Sequence, residues 1–188
     1  MSKLKQIIYS TFAVTLTIIT LPANALTQAQ LVVWTNEAII TAYTYDYKTI
    51  IPSQKATAKY FTAKAWFNYS QALLKSGLLD AVKKNKYTVS AVPTMPPQIK
   101  PLKPVKGERT WQAEMPILAV YKNPQYQQKQ YLNVKLVIQA TGTNGGTRGL
   151  AITNFQATKR PAPKCEPAAK PAMKSTDTAV DNKEPKKN

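Results

Sequence analysis

The stretch "LNVKLVIQATGTNGGTRGLAITNFQA", Leu132 to Ala157, decides the fold. Leu132, Val134, Leu136 and Ile138 alternate with Asn133, Lys135 and Gln139, the period of two that puts one face of a strand in a core and the other in water. The loop "TGTNGGTRG" follows, and Asn144-Gly145-Gly146 can supply the positive φ that a hairpin reversal needs. Ala151 to Ala157 then returns as a final strand. Two strands joined this way define an antiparallel sheet with one buried face.

Upstream, Trp111, Ala113 and Met115 alternate with polar neighbours up to Pro116. The proline is expected to break the phase at a bulge or edge, leaving Leu118 and Val120 to point inward. "KYTVSAVP" reads as the first strand, ended by Pro93. The five prolines between Pro93 and Gly107 predict a stiff extended connection.

Before Asn85 the period is helical. Leu31, Trp34, Ala38, Ala42 and Tyr45 form one stripe over Thr27 to Tyr47, widened by Val33, Ile40 and Tyr43. Ser53 is the expected N-cap of a short second helix, and Thr62 that of a third running to Gly77 through Trp66, Tyr69, Leu73 and Leu74. Asp80 should cap one more turn, Ala81 to Lys84. Helices first and strands afterwards give an α+β fold, with the helices packed on one face of a curved antiparallel sheet of about four strands.

The ends read differently from the middle. Lys3 and Lys5, the 15 mostly apolar residues Ile7 to Leu21, and Ala23-Asn24-Ala25 match the three parts of a secretory signal, with cleavage between Ala25 and Leu26. Pro22 closes the apolar run short of the roughly 20 residues a spanning helix needs, although retention as an inner-membrane anchor facing the periplasm is the alternative. The divisions are therefore a signal peptide 1–25, an α+β domain 26–158 and a tail 159–188, whose Pro, Ala and Lys content predicts disorder.

Lys and Arg number 26 against nine acids, and the domain carries +11 of the total +17. That balance favours anionic partners such as lipid headgroups or envelope polymer, and is equally an ordinary solubility device. Histidine is absent and Cys165 is the single cysteine, which excludes His-based acid/base dyads, Cys-His nucleophiles and Cys/His zinc sites.

Several blocks carry a resemblance: Trp34 with Glu37-Ala38, "AYTYDY" (Ala42 to Tyr47), "YFTAKAW" (Tyr60 to Trp66), "SGLLDAVKKNKYTVSAVP" (Ser76 to Pro93), Pro96-Pro97, Trp111, Met115-Pro116, Tyr121 and "RGLAI" (Arg148 to Ile152). In this order, from about Val33 to Phe155, the chain resembles the IcmL/DotI family of type IVB (Dot/Icm) secretion proteins, related to conjugation proteins of the TraM kind. The resemblance implies a cone-shaped periplasmic domain, cystatin-like or nuclear-transport-factor-like, that assembles with secretion subunits and with itself, without catalysis or cofactor. Apparatus-building members are held by a true transmembrane helix and lack the Lys/Pro-rich tail, and Ala65 stands where the family pattern has Gly.

Trp34, Phe61 and Trp66 are expected in the core, whereas Tyr43 and Tyr47 are candidates for a docking surface. Lys83, Lys84 and Lys86, beside Lys75, form a basic cluster that could meet an anionic partner. Nucleic acid is a poor fit, because no stacking aromatics or groove-reading element accompany them. Glu37, Asp46, Asp80, Glu108 and Glu114 are the domain's only acids and show no spacing that suggests a metal or an acid/base pair. Two functions follow: a periplasmic assembly component of a type IVB secretion apparatus, or a soluble paralogue that binds a small ligand or anionic envelope polymer.

Overall fold

The computed structural model describes residues 26–142 and 145–163. The signal segment, the tail from residue 164 with Cys165, and Asn144 lie outside the described residues. Four helices precede and flank a six-stranded, strongly curled antiparallel sheet. The elements are α1 (Gln28–Ala42), β1 (Tyr45–Asp46), α2 (Ile50–Ala58), α3 (Ala63–Lys75), α4 (Leu78–Lys84), β2 (Thr88–Pro93), β3 (Gln98–Val105), β4 (Glu108–Lys122), β5 (Gln127–Ala140) and β6 (Leu150–Lys159). The sheet order is β1-β2-β4-β5-β6, with β3 pairing β4 beyond the end of β2.

The predicted hairpin is the spine of the sheet. β4 pairs β5 from Thr110 to Lys122, and β6 returns against β5 with Leu136 opposite Phe155. Leu132, Val134, Leu136 and Ile138 are buried as their alternation requires. Thr153 is the extra residue of a bulge between Ile152 and Asn154, and its hydroxyl donates to the Val137 carbonyl (3.2 Å). β6 extends to Lys159, and Arg160 N–H bonds the Tyr131 carbonyl, so the sheet continues past the expected domain limit at residue 158.

Pro116 does not shift the phase. Ile117, Ala119 and Tyr121 are buried, while the expected inward residues Leu118 and Val120 are only half-buried. The carbonyl of Pro116 accepts from the Thr94 N–H (3.0 Å) and hydroxyl (3.1 Å), so the side lacking a donor faces the gap between β2 and β3. A missing N–H costs no ladder bond there.

The proline-rich connection is a strand in its own right. Gln98 to Leu102 pairs with Glu114 to Thr110, and the register slips before Val105 meets Glu108. Pro101 and Pro104 are tolerated because β3 pairs on one side only. With the two-residue β1 this raises the strand count from the expected four to six.

The helices cover the concave face. Thr27 forms a capping box with Gln30 at the start of α1, and Leu31, Trp34, Ala38, Ile39 and Ala42 are its buried stripe. α1 ends at Ala42 instead of reaching Tyr47, because Tyr45 and Asp46 pair with Val89 and Thr88. Ser53 lies inside α2 and is not its cap. The turn into α2 is made by Asp46, whose Oδ1 accepts from the N–H groups of Lys48 (2.7 Å) and Thr49 (2.9 Å). Thr62 does cap α3, accepting from Ala65 N–H (3.3 Å), and Ala65 is a buried helical residue. Gly77, in the left-handed region at φ 65°, precedes α4, which begins three residues earlier than expected and places Asp80 in its first turn.

The two hydrogen bonds hold the carboxyl of Asp46 below its ordinary value of 3.8. Since the folded value is the lower one, this contribution to stability is present above pH 3.8 and is lost as pH falls through the folded value. Asp46→Ala is therefore expected to flatten the acid limb of a stability-pH curve in that range while leaving the neutral-to-alkaline limb unchanged.

Candidate interaction surface

Tyr43, a candidate for the docking surface, is inside. It is the C-cap of α1, 9% exposed and packed on Phe155, because the chain turns there from helix into β1 and carries the ring under the sheet. Phe61, Trp66, Tyr69 and Phe155 stack with centroids 4.9 to 5.8 Å apart. Trp34 and Phe61 are buried as expected, and Trp66 is half-buried at the edge of the same cluster. Leu74 of the expected inner stripe is exposed, as is Phe67.

Burial pushes the phenols of Tyr43, Tyr45, Tyr69 and Tyr121 above their ordinary pKa near 10. A raised folded value contributes stability that is complete below pH 10 and disappears as pH rises toward it. In a spectrophotometric titration, four of the chain's ten tyrosines should resist ionisation past pH 10 and then ionise together with loss of near-UV dichroism.

The lysine cluster is on the surface, and the structure adds neighbours that the sequence separates. Val82 is fully buried and anchors α4, leaving Lys83 and Lys84 in its exposed last turn. Lys86, also exposed, adopts a left-handed φ of 52°, and Tyr87 N–H returns to the Val82 carbonyl (3.0 Å). Tyr47 N–H bonds the Tyr87 carbonyl (3.1 Å), so half-buried Tyr47 lies beside this turn with Lys48 5.5 Å from its ring centroid. The Asn123 side-chain N–H donates to the Asn85 carbonyl (2.9 Å), and Lys122 pairs with Thr88. Lys48, Lys83, Lys84, Lys86 and Lys122 therefore share one end of the domain around a tyrosine.

The acids are dispersed into separate structural roles. Glu37 is ion-paired with Arg148, joining α1 to the β5–β6 loop. Glu114 accepts from the Asn133 amide and lies 3.5 Å from Lys135, which together hold its carboxyl below the ordinary range. Asp46 serves the turn into α2, Asp80 occupies the first turn of α4, and Glu108 begins β4 in solvent. Among the described residues no three His, Cys, Asp or Glu side chains are grouped as a metal would require. Among the same residues no helix is long and apolar enough to cross a membrane.

Residues 9–159 match the DotI/IcmL family of the type IVb secretion system, described as an inner-membrane complex component. No curated protein matches the chain. Among solved structures, the chain is 47% identical to an IcmL-like type IV secretion system protein (lpg0120) from Legionella pneumophila subsp. pneumophila str. Philadelphia 1, with a TM-score of 0.68 over 74% of this chain and 98% of that one. The periplasmic domain of DotI is 31% identical, with a TM-score of 0.69 over 73% of this chain and 99% of that one. A periplasmic fragment of TraM, 17% identical with a TM-score of 0.65 over 72% of this chain and all of the fragment, shares the fold. A domain with this sheet, this helix cover and this match over most of its residues makes the chain a member of the DotI/IcmL family of type IVB secretion proteins.

Proposed function

We propose that this protein is a non-enzymatic, periplasm-facing component or accessory of a type IVB secretion apparatus, acting by assembly with other subunits. The observation that carries the reading is the extent of the match, which runs from residue 9 to residue 159 and so includes the whole folded domain. The interior favours it too: Trp34, Ile39, Met115, Ile138 and Ile152 fill the concave face, where a small-ligand carrier would need an enclosed cavity. The end that gathers Lys48, Lys83, Lys84, Lys86 and Lys122 around Tyr47 has the charge to meet an acidic subunit surface, steering encounter and setting orientation.

Pull-down of the tagged full chain from native envelope tests the assignment, with recovery of secretion subunits expected. Recovery of none of them removes it. Lys83→Glu with Lys84→Glu and Lys86→Glu should lower that recovery at low salt by about tenfold or more, since a like-charge contact costs several kcal/mol. Mass spectrometry of the mature N-terminus with carbonate extraction decides between release after Ala25 and retention by the apolar run; Leu26 as first residue and extraction from the membrane are the outcomes expected for an exported, cleaved chain.

A further inference from the structure

The domain has two chemically distinct ends. At one, the start of α1 with Leu26 and Gln30, the β3–β4 tip with Gly107 and Arg109, and Arg148 of the β5–β6 loop surround one cleft of about 520 Å³. At the other, Lys122 and Asn123 sit beside the Lys83 to Lys86 turn. β4 joins the two, and its 15 residues extend about 45 Å at the rise of a strand.

The β3–β4 hairpin is unlike the rest of the sheet. Every residue from Lys100 to Arg109 is exposed. Glu108 is the one acid within the hairpin and Lys100 lies near Glu114, so Lys103, Lys106 and Arg109 are the cations left in excess; they alternate with Leu102, 40% exposed, and Val105, 50% exposed. Pro101 and Pro104 limit the backbone freedom of this strand, so the side chains are presented with little ordering cost. Arg148 is occupied by Glu37 and is not part of the set. The apolar run Ile7 to Leu21 joins the same end, and the link from Leu21 to Leu26 spans at most about 18 Å when extended.

We propose that the β3–β4 hairpin is a docking surface for anionic phospholipid headgroups, which turns the Leu26 end of the domain toward the bilayer and the Lys83 to Lys86 end away from it. A bilayer surface takes ammonium and guanidinium groups at its phosphates and short aliphatic side chains just beneath them, the two kinds of group this hairpin interleaves. The docking holds the domain in one orientation if the apolar run is retained, and holds it reversibly at the membrane if the run is removed. It does not depend on which subunits the far end meets.

The test uses the full chain carrying Cys165→Ser, with an environment-sensitive fluorophore on Val105→Cys or, as far-end reference, on Lys84→Cys. Each is combined with vesicles of phosphatidylcholine alone or with phosphatidylglycerol, both containing a headgroup quencher. The probe at 105 should be quenched several-fold more than the probe at 84 on phosphatidylglycerol vesicles, and high salt should abolish the difference. Lys103→Gln, Lys106→Asn and Arg109→Gln together should weaken the docking by about tenfold or more, each cation near an anionic surface contributing roughly fivefold. Asn at 106 keeps the left-handed φ of 53° accessible, and an unchanged melting curve checks the fold. Equal quenching at the two positions, salt-independent quenching on phosphatidylcholine alone, or displacement by millimolar inorganic phosphate overturns the proposal. Failure of the subunit pull-down leaves these outcomes unaffected.

Discussion

Replacing Trp34 by alanine is expected to destabilise the domain by about 4 kcal/mol, as measured by chemical denaturation. The side chain is 1% exposed, its ring meets Tyr60 edge-on at 5.6 Å, and its Nε1–H donates to the Thr147 carbonyl (2.8 Å). Alanine removes the ring volume and leaves a part-buried carbonyl without its donor, two losses that act together. Phenylalanine keeps most of the volume and loses the bond, so Trp34→Phe should cost only about 1 to 2 kcal/mol. Equal losses for the two variants would show that the hydrogen bond, and not the packing of the ring, dominates at this position. Domains of this size hold roughly 5 to 15 kcal/mol in all, so the alanine variant is expected to lose from about a quarter to about four-fifths of the total.

The second large effect is at Gly146. A Cβ built there would lie 2.0 Å from the Leu150 carbonyl oxygen and 2.6 Å from its carbon, with φ at 71°. Backbone cannot move aside as a flexible side chain can, and the same carbonyl accepts from Thr147 N–H (2.9 Å) where β6 begins. Gly146→Ala should cost about 3 kcal/mol, combining the left-handed strain with loss of this tight reversal. Gly142 is also left-handed, at φ 57°, but a Cβ there would meet nothing within 4 Å, so Gly142→Asn should cost less than about 1 kcal/mol. Because Thr147 supplies the acceptor for Trp34, the Trp34→Ala and Gly146→Ala losses should sum to more than the double variant shows. Strict additivity in a double-mutant cycle would mean the loop does not transmit its distortion to α1.

What could be read in advance was mostly what local periodicity encodes. Leu132 to Ile138 alternate strictly, so β5 was legible, and Thr62 before an apolar helical stripe marked the start of α3. Most departures from these expectations have one physical source, a partner strand or helix distant in sequence; Ser53 is the exception, since the local Asp46 turn starts α2 ahead of it. The prolines of 93–107 predict a stiff extended connection, yet β3 joins the ladder because it bonds on one side alone. Pro116 looked like a phase break, yet the missing donor faces a gap between two strands. Tyr45 fits a helical stripe as well as a strand, and only the presence of Val89 opposite it selects the strand. Tyr43 had no sequence feature to distinguish a buried ring from a docking ring.

The candidate surfaces divide in the same way. That Lys83, Lys84 and Lys86 are close follows from chain order, but their company with Tyr47, Lys48 and Lys122 follows from the Tyr47–Tyr87 and Thr88–Lys122 pairings. The β3–β4 hairpin was readable as prolines and lysines without any sign that it stands beside Leu26.

By itself, then, the sequence determined the α+β class, the antiparallel hairpin, the family and the absence of histidine chemistry, because composition and short-range period are properties of neighbouring residues. Tertiary structure alone decided which prolines could join the sheet, which tyrosines were buried, and that the two basic groups occupy opposite ends of β4. Those outcomes depend on which backbone donors lack partners and which side chains meet across long sequence separations, quantities that no local pattern contains.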